Sequence, residues 1–225
     1  MQDLNRNLIA GEWVAGGSEI ENRNPSDVSD LVGMYAQATP DQLDATLDRA
    51  RQAQAEWAAY GIERKYNVLM AIGPEMMTRA EELGTLLARE EGKPLAEGKG
   101  EVYRAGQFFI YYAAETLRQM GDTADSVRDG IEIDVRREPV GVVAVISPWN
   151  FPTATASWKI APALCYGNAV GGRPANLTPA SAVALVDISA RQDIPKGLVS
   201  LVMGAGSAIG QRLVESPRVN AISFT

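Results

Sequence analysis

The sequence predicts an α/β protein built on a parallel sheet, preceded by a helical region and one edge strand. Three observations carry that prediction. After Pro139, short apolar runs alternate with helical segments. From Thr39 to about residue 120, apolar residues recur at helical spacing. Residues 131–136 alternate apolar and charged side chains with the period of two that marks a half-buried or edge strand.

Taken in order, residues 7–38 read as short strands and turns. Leu8-Ile9-Ala10 and Trp13-Val14 flank Gly11, Gly16-Gly17 closes one turn, and Asn24-Pro25-Ser26-Asp27 makes another. Thr39-Pro40-Asp41-Gln42 then supplies an N-cap, a proline at the first helical position and a glutamine three residues after the cap. The helix it starts carries Leu43, Leu47, Ala50, Ala53 and Trp57 on one apolar face. A second periodic stretch holds Ile62, Tyr66, Leu69, Ile72, Met76, Ala80, Leu83 and Leu87, and Gly73-Pro74 is expected to break or kink it. Gly92-Lys93-Pro94 ends that region. A third helix, about 98–120, presents Val102, Phe109, Tyr112 and Leu117.

Gly121 to Gly130 reads as a polar loop leading into the strand of residues 131–136. Gly141 to Ile146 is a buried strand, about 154–166 is helical, and Asn168-Ala169-Val170 starts a short strand. A helix at about 178–191, a strand from Leu198 to Val202, a helix at about 207–215 and a strand from Val219 to Phe224 complete the chain. This alternation implies right-handed crossovers and a parallel sheet. Such sheets bind ligands at the carboxyl ends of their strands, so the residues after 146, 172 and 202 are the candidates for a site.

Composition narrows the chemistry. The 225 residues hold 21 Lys+Arg against 28 Asp+Glu, a net charge of −7, no histidine and one cysteine. Without histidine there is no Ser-His-Asp or Cys-His catalysis and no imidazole ligand, and one cysteine makes neither an intrachain disulfide nor a four-thiolate zinc site. No metal site is expected. The acidic balance, with a pI of about 4.8, argues against nucleic acid or an anionic membrane as partner. Met1 to Arg6 lack the pattern of a signal peptide and no run approaches a membrane span, so cytoplasmic residence is the default expectation. Length suggests one core plus an appendage.

The loop Ser147-Pro148-Trp149-Asn150-Phe151-Pro152 is stiffened by two prolines, each of which disfavours the helical region for the residue before it, so Ser147 and Phe151 are expected to be extended. A stiff loop can aim the Asn150 amide at an oxyanion developing on a carbonyl, or Asn150 can simply hydrogen-bond its own turn. Lys159 reads equally as a snorkelling surface lysine. Asn176 fits a turn and helix cap. Gly204 and Gly206, with Gly210, approach a dinucleotide fingerprint carrying one extra residue, and a tight turn explains them as well. Glu81-Glu82 and Glu90-Glu91 read as solvated helix charges. Cys165 lies in an apolar helix without a neighbouring base or cation, which marks it as core.

The run from Arg137 to Pro152, followed by Trp158-Lys159, Pro162-Ala163-Leu164 and Gly167-Asn168, resembles the aldehyde dehydrogenase superfamily. Gly11-Glu12-Trp13, Asn24-Pro25, Glu91-Gly92-Lys93-Pro94 and Val219 to Thr225 extend the resemblance over nearly the whole chain. Ser126 to Ile133 and Arg173-Pro174-Ala175-Asn176 are similar in flavour to 2,5-dioxovalerate (α-ketoglutarate semialdehyde) dehydrogenases.

The resemblance implies a Rossmann-like, incomplete dinucleotide-binding domain and NAD(P)-dependent oxidation of an aldehyde, with a semialdehyde as the finer reading, to a carboxylic acid through a thiohemiacetal and thioester. It assigns Asn150 to the oxyanion and places Lys159 near the nicotinamide ribose. Ile146, Ser147, Pro148 and Trp149 match the floor of the nicotinamide end, and Gly206 matches a cofactor-contacting loop. Arg173 keeps a positive charge at the adenosine ribose, where the family usually has Lys after two bulky residues rather than Gly171-Gly172. Asn176 replaces the Glu of many NAD-preferring members, so the cofactor is expected to be NAD or NADP. The implied division is 1–120 as strand-turn segment and helices, 121–139 as a projecting oligomerisation strand, and 140–225 as the βαβαβαβ core. The expected partners are a small-molecule aldehyde and, in the full-length form, further copies of the chain. The family's Gly-Ser-rich turn, general-base Glu and nucleophilic Cys are not found up to Thr225, so these residues alone are expected to be inactive; a non-catalytic role in assembly or weak nucleotide binding is the alternative.

Overall fold

The computed structural model describes residues 5–118 and 121–225. The first four residues of the N-terminal reading and positions 119–120 of the expected third helix lie outside the described residues. Strands β1 (Asn7–Ile9), β2 (Glu12–Val14), β3 (Ser18–Arg23) and β4 (Leu31–Gln37) precede helices α1 (Pro40–Ala58), α2 (Ile62–Thr78), α3 (Ala80–Glu91) and α4 (Leu95–Thr116). The hairpin of β5 (Asp122–Asp125) and β6 (Glu132–Val135) follows. Then come β7 (Val142–Ile146), α5 (Pro152–Cys165), β8 (Ala169–Arg173), α6 (Pro179–Ala190), β9 (Val199–Leu201), α7 (Gln211–Glu215) and β10 (Ala221–Phe224). Among the described residues no helix is long and apolar enough to cross a membrane.

The main sheet has the order β10-β7-β8-β9-β1-β2. Its first four strands are parallel, as the alternation predicts, and β1 and β2 extend it antiparallel beyond β9. The sequence gives no sign of this extension, because three-residue strands are too short to show a period. Asn7 secures it: its buried side chain accepts from Met203 N at 2.7 Å and donates to Ala36 O at 3.4 Å. Helix α1 packs on β8, where Leu47 faces Gly171, while α5 packs on β7 and β8 and α6 on the neighbouring β9.

Local signals hold at α1. Thr39 Oγ1 accepts from Gln42 N and Gln42 Oε1 accepts from Thr39 N, a reciprocal cap, and all five residues of the expected apolar face are fully buried. Several expectations need correction. Helix α2 runs through Gly73-Pro74 and ends at Thr78, with Arg79 (φ −91°, ψ 14°) separating it from α3. A Cβ on Gly73 would lie 2.8 Å from Gly106 O, and one on Gly106 would lie 2.6 Å from Gly73 O. This close seating of α2 on α4 holds the helix across the proline. Ile62 and Leu117 are exposed rather than on the apolar face, and α4 spans Leu95–Thr116 rather than 98–120. The polar loop after Gly121 contains β5, and β6 follows the edge-strand rather than the half-buried alternative, exposed on both faces because nothing among the described residues covers this two-stranded hairpin. The helix expected at 207–215 opens as a π-helical turn over Gly206–Gly210 before α7. Glu90 is not solvated: it is buried beneath the start of α6, where its carboxylate accepts from Ser181 N at 2.9 Å, Ser181 Oγ at 2.6 Å and Ala180 N. Thr178 makes no side-chain cap, so these amides need an acceptor from elsewhere.

Candidate functional site

The carboxyl ends of β7 and β8 are joined by Ser147 N donating to Arg173 O at 3.2 Å, and the side chains expected to form a site radiate from this junction. Ile146 and Ser147 are buried. Lys159, on α5, is buried too and donates through Nζ to Ile146 O at 2.7 Å. That overturns the reading of Lys159 as a surface lysine. Burial opposes its charge and lowers its pKa to about 8.

After Ser147 the loop crosses the top of the sheet. Pro148 is half-buried, while Trp149, Asn150 and Phe151 are exposed. Phe151 sits at φ −139°, ψ 63°, out of the helical region but short of full extension, because its carbonyl already accepts from Thr155 N at 2.9 Å as the first bond of α5. The Asn150 side chain makes no hydrogen bond among the described residues, so it is not spent on its own turn. Its backbone is anchored instead, with Asn150 O accepting from Lys93 Nζ at 2.9 Å. Lys93 also donates to Glu101 Oε2 at 2.6 Å, pairs with Glu91 Oε2 at 2.8 Å, and lies 4.3 Å from the centroid of the Phe151 ring. Glu101 Oε1 accepts from Thr153 N at 2.9 Å and Ala154 N at 3.0 Å, capping α5. Burial opposes the charge on Lys93, but the hydrogen bonds and charges of Glu101 and Glu91 outweigh it and hold the pKa above the usual lysine value.

At the end of β8, Arg173 donates to Gly204 O through Nη2 at 2.9 Å and Nε at 3.3 Å, and Nη2 also donates to Asn176 Oδ1 at 3.2 Å. Burial lowers its pKa. Asn176 therefore partners Arg173, and the helix-cap role falls to Glu90. Gly206 lies against the same guanidinium: a Cβ there would stand 3.5 Å from Arg173 Nη2. Ile146, Arg173, Gly206, Val214, Ile222 and Phe224 line a cleft of about 380 Å³ at the strand ends. Trp149 lines a different cleft, of about 250 Å³, together with Asn176 and Glu91. The expected residues thus divide into Ile146, Arg173 and Gly206 on the first cleft and Trp149 and Asn176 on the second, with the Arg173–Asn176 hydrogen bond linking the two groups. Cys165 is buried in the core, where Thr116 Oγ1 donates to its Sγ at 3.4 Å.

Sequence reading passes over Lys93, Glu90 and Glu101 as parts of this site. The Glu91 to Pro94 motif stands out as a helix end, but its reach to Asn150 spans 57 positions and leaves no local trace.

The sequence model described as the aldehyde dehydrogenase family matches residues 13–225. Over 226 residues the chain is 38% identical to an alpha-ketoglutaric semialdehyde dehydrogenase of Bacillus subtilis, covering 100% of this chain and 46% of that protein. It is 36% identical to the succinate-semialdehyde dehydrogenase [NADP(+)] GabD of Escherichia coli, covering 97% and 45%. The crystal structure of an aldehyde dehydrogenase from Brucella melitensis superposes with a TM-score of 0.95 at 34% identity, covering 98% of this chain and 46% of that one. A betaine aldehyde dehydrogenase of Staphylococcus aureus in complex with NAD+ superposes with a TM-score of 0.93 at 29% identity, covering 98% and 44%. The chain spans about half the length of the curated relatives it matches.

Proposed function

The chain belongs to the aldehyde dehydrogenase family, and from that premise we propose that it binds NAD or NADP at the carboxyl ends of β7 and β8 and contributes Asn150 to the oxidation of a semialdehyde to a carboxylic acid. The observation that carries this reading is the Asn150 amide, unpartnered among the described residues on a loop held at Asn150 O by Lys93 and at the start of α5 by Glu101. An amide donor fixed in this way costs no reorganisation when an oxyanion develops on the aldehyde carbonyl. The semialdehyde class is taken from the names of the two relatives above.

The residues at the strand ends fit a dinucleotide. A cleft of about 380 Å³ with apolar walls from Val214, Ile222 and Phe224 suits an adenine face. Arg173 brings a cation to its rim, Asn176 brings no carboxylate to repel a 2′-phosphate, and Gly206 keeps that edge clear of a side chain. NADP is accordingly accepted as well as NAD. The bound nicotinamide supplies the hydride acceptor. Lys159 fixes the end of β7 through Ile146 O and offers its remaining N–H groups to hydroxyls at that end. The exposed Ile131, Ile133 and Val135 of the β5–β6 region support assembly with further copies through this segment.

Calorimetric titration with NAD and NADP tests the cofactor reading. Both are expected to bind, with Arg173→Ala weakening NADP by about tenfold and NAD less; no binding of either at millimolar concentration overturns it. In a protein that joins this segment to the nucleophilic Cys and general-base Glu of the family, Asn150→Ala is expected to leave cofactor affinity unchanged while lowering semialdehyde-dependent reduction of nicotinamide by about 10²–10³-fold in kcat. An unchanged kcat removes Asn150 from the reaction.

A further inference from the structure

We propose that Lys93 and Glu101 are the positioning residues of the Asn150 amide, acting as one strut that fixes the loop at two points. The proposal rests on the reading of Asn150 as an oxyanion donor, and it assigns a purpose to two residues that touch neither of the strand-end clefts.

The geometry is specific. An ammonium has three donors. In Lys93 two of them are directed, to Glu101 Oε2 at 2.6 Å and to the carbonyl of Asn150 at 2.9 Å, while Glu91 Oε2 lies 2.8 Å from Nζ as an ion pair outside hydrogen-bond geometry. Glu101 divides its two oxygens, giving Oε2 to Lys93 and Oε1 to the amides of Thr153 and Ala154. The Lys93 and Glu101 side chains are 7% and 2% exposed, so water is largely kept from the ion pair, while the bond to the Asn150 carbonyl lies at the surface. One ion pair therefore grips the peptide plane after Asn150 and the first free amides of α5, with Phe151 and Pro152 between the two grips. Pro152 has no N–H to satisfy, and Glu101 serves the next two residues instead.

Energy points the same way. A buried ion pair gains little over an apolar replacement of similar volume, because desolvation cancels most of its attraction. A network of this kind is therefore poorly explained as a source of stability alone. What an apolar contact lacks is direction, and the strut holds a backbone carbonyl at one place relative to α4 and α5. Arg is a poor substitute, since its planar fork is shaped for one carboxylate rather than for three oxygens around a point.

The test is ¹⁵N relaxation on the full chain, reading the backbone amide of Phe151, which shares its peptide plane with Asn150 O, alongside hydrogen exchange at Thr153 and Ala154. The parent is expected to show an order parameter near the rigid value of about 0.85 at Phe151. In Lys93→Met it is expected to fall below about 0.6, while Thr153 and Ala154, still capped by Glu101, remain protected. A uniform loss of protection across the core is the signature of a merely structural role and overturns the proposal, as does an unchanged order parameter at Phe151. If Lys93→Met does not fold, Glu101→Gln carries the test: it keeps an oxygen for the two amides and removes the charge that holds Lys93, so Phe151 is again expected to loosen, and a rigid Phe151 overturns the strut. These readouts need no turnover or cofactor. Failure of the parent to bind NAD and NADP therefore counts against the functional reading, and a rigid Phe151 in the variants counts against the strut.

Discussion

Two β-loop-α units lie side by side in the sheet, β7 to α5 and β8 to α6, and they meet one requirement with different charges. Each helix begins with a proline, Pro152 or Pro179, and neither Phe151 nor Thr178 caps it with its own side chain. In each, a buried glutamate from another helix accepts the free amides: Glu101 from α4 for Thr153 and Ala154, Glu90 from α3 for Ala180 and Ser181. The difference is the counter-ion. Glu101 is paired with Lys93, whereas Glu90 has no ion pair among the described residues. Burial pushes the Glu90 carboxyl up to about 7, against the hydrogen bonds of Ser181 and Ala180 that favour its charged form. A cap shared with a cation is tied to a second structure, here the Asn150 loop; a cap without one responds to protons.

The largest effect that can break this comparison comes from deleting each glutamate. Glu101→Ala removes one partner of a buried ion pair and uncaps α5, which is expected to cost about 3–5 kcal/mol in urea denaturation. Glu90→Ala strands two amides and a hydroxyl but no charge, and it relieves the desolvation of the carboxylate, so about 1–3 kcal/mol is expected. Equal losses would mean that the counter-ion makes no difference.

A second prediction sharpens the titration. The native pKa of Glu90 lies above its reference value of 4.5, so between pH 4.5 and about 7 the folded chain binds more protons at this site than the unfolded chain does. Its contribution is then fully present below pH 4.5 and is lost as pH rises through 7, by at most about 3 kcal/mol. Glu90→Gln is expected to abolish this component: the stability difference, parent minus variant, falls with rising pH across that window. A difference that is flat in pH would show that Glu90 does not hold a proton in the folded chain.

What was legible in the sequence is what is local. The reciprocal cap of Thr39 and Gln42, the prolines around Asn150 and the alternation after Pro139 act over a few residues, and each leads to the observed element. The seating of Gly73 on Gly106 acts across helices, so Pro74 reads as a break or kink while the helix continues through it. Strand β5 has no apolar alternation because neither of its faces is buried. Glu90 and Glu101 look like ordinary helix charges, and only the positions of α5 and α6, 52 and 90 residues further on, turn them into caps. The site is legible where the loop's own chemistry stiffens it and illegible where other helices do so.

The smallest predicted effect separates the strands of the two units. Where β7 is filled by Val142, Val143, Ala144, Val145 and Ile146, β8 holds Gly171 and Gly172 at its centre, and sequence alone treats the two glycines alike. The structure distinguishes them because successive residues face opposite sides of a sheet. A Cβ on Gly171 would meet Leu47 Cδ2 at 3.7 Å, an ordinary contact with α1. One on Gly172 would lie 3.0 Å from Ser200 O, the backbone of the neighbouring strand, although the residue borders a small apolar void lined also by Ala156, Ile160 and Leu185. Gly171→Ala reduces the freedom of the unfolded chain without a clash and is expected to stabilise the fold by about 0.5–1 kcal/mol. Gly172→Ala gains the same entropy but must push β9 aside, close to Arg173 and the loop at Gly204, so it is expected to be neutral or destabilising. Thermal denaturation of the two variants decides the matter, and a Gly172→Ala protein more stable than Gly171→Ala would show that the void, rather than the strand spacing, governs this part of β8.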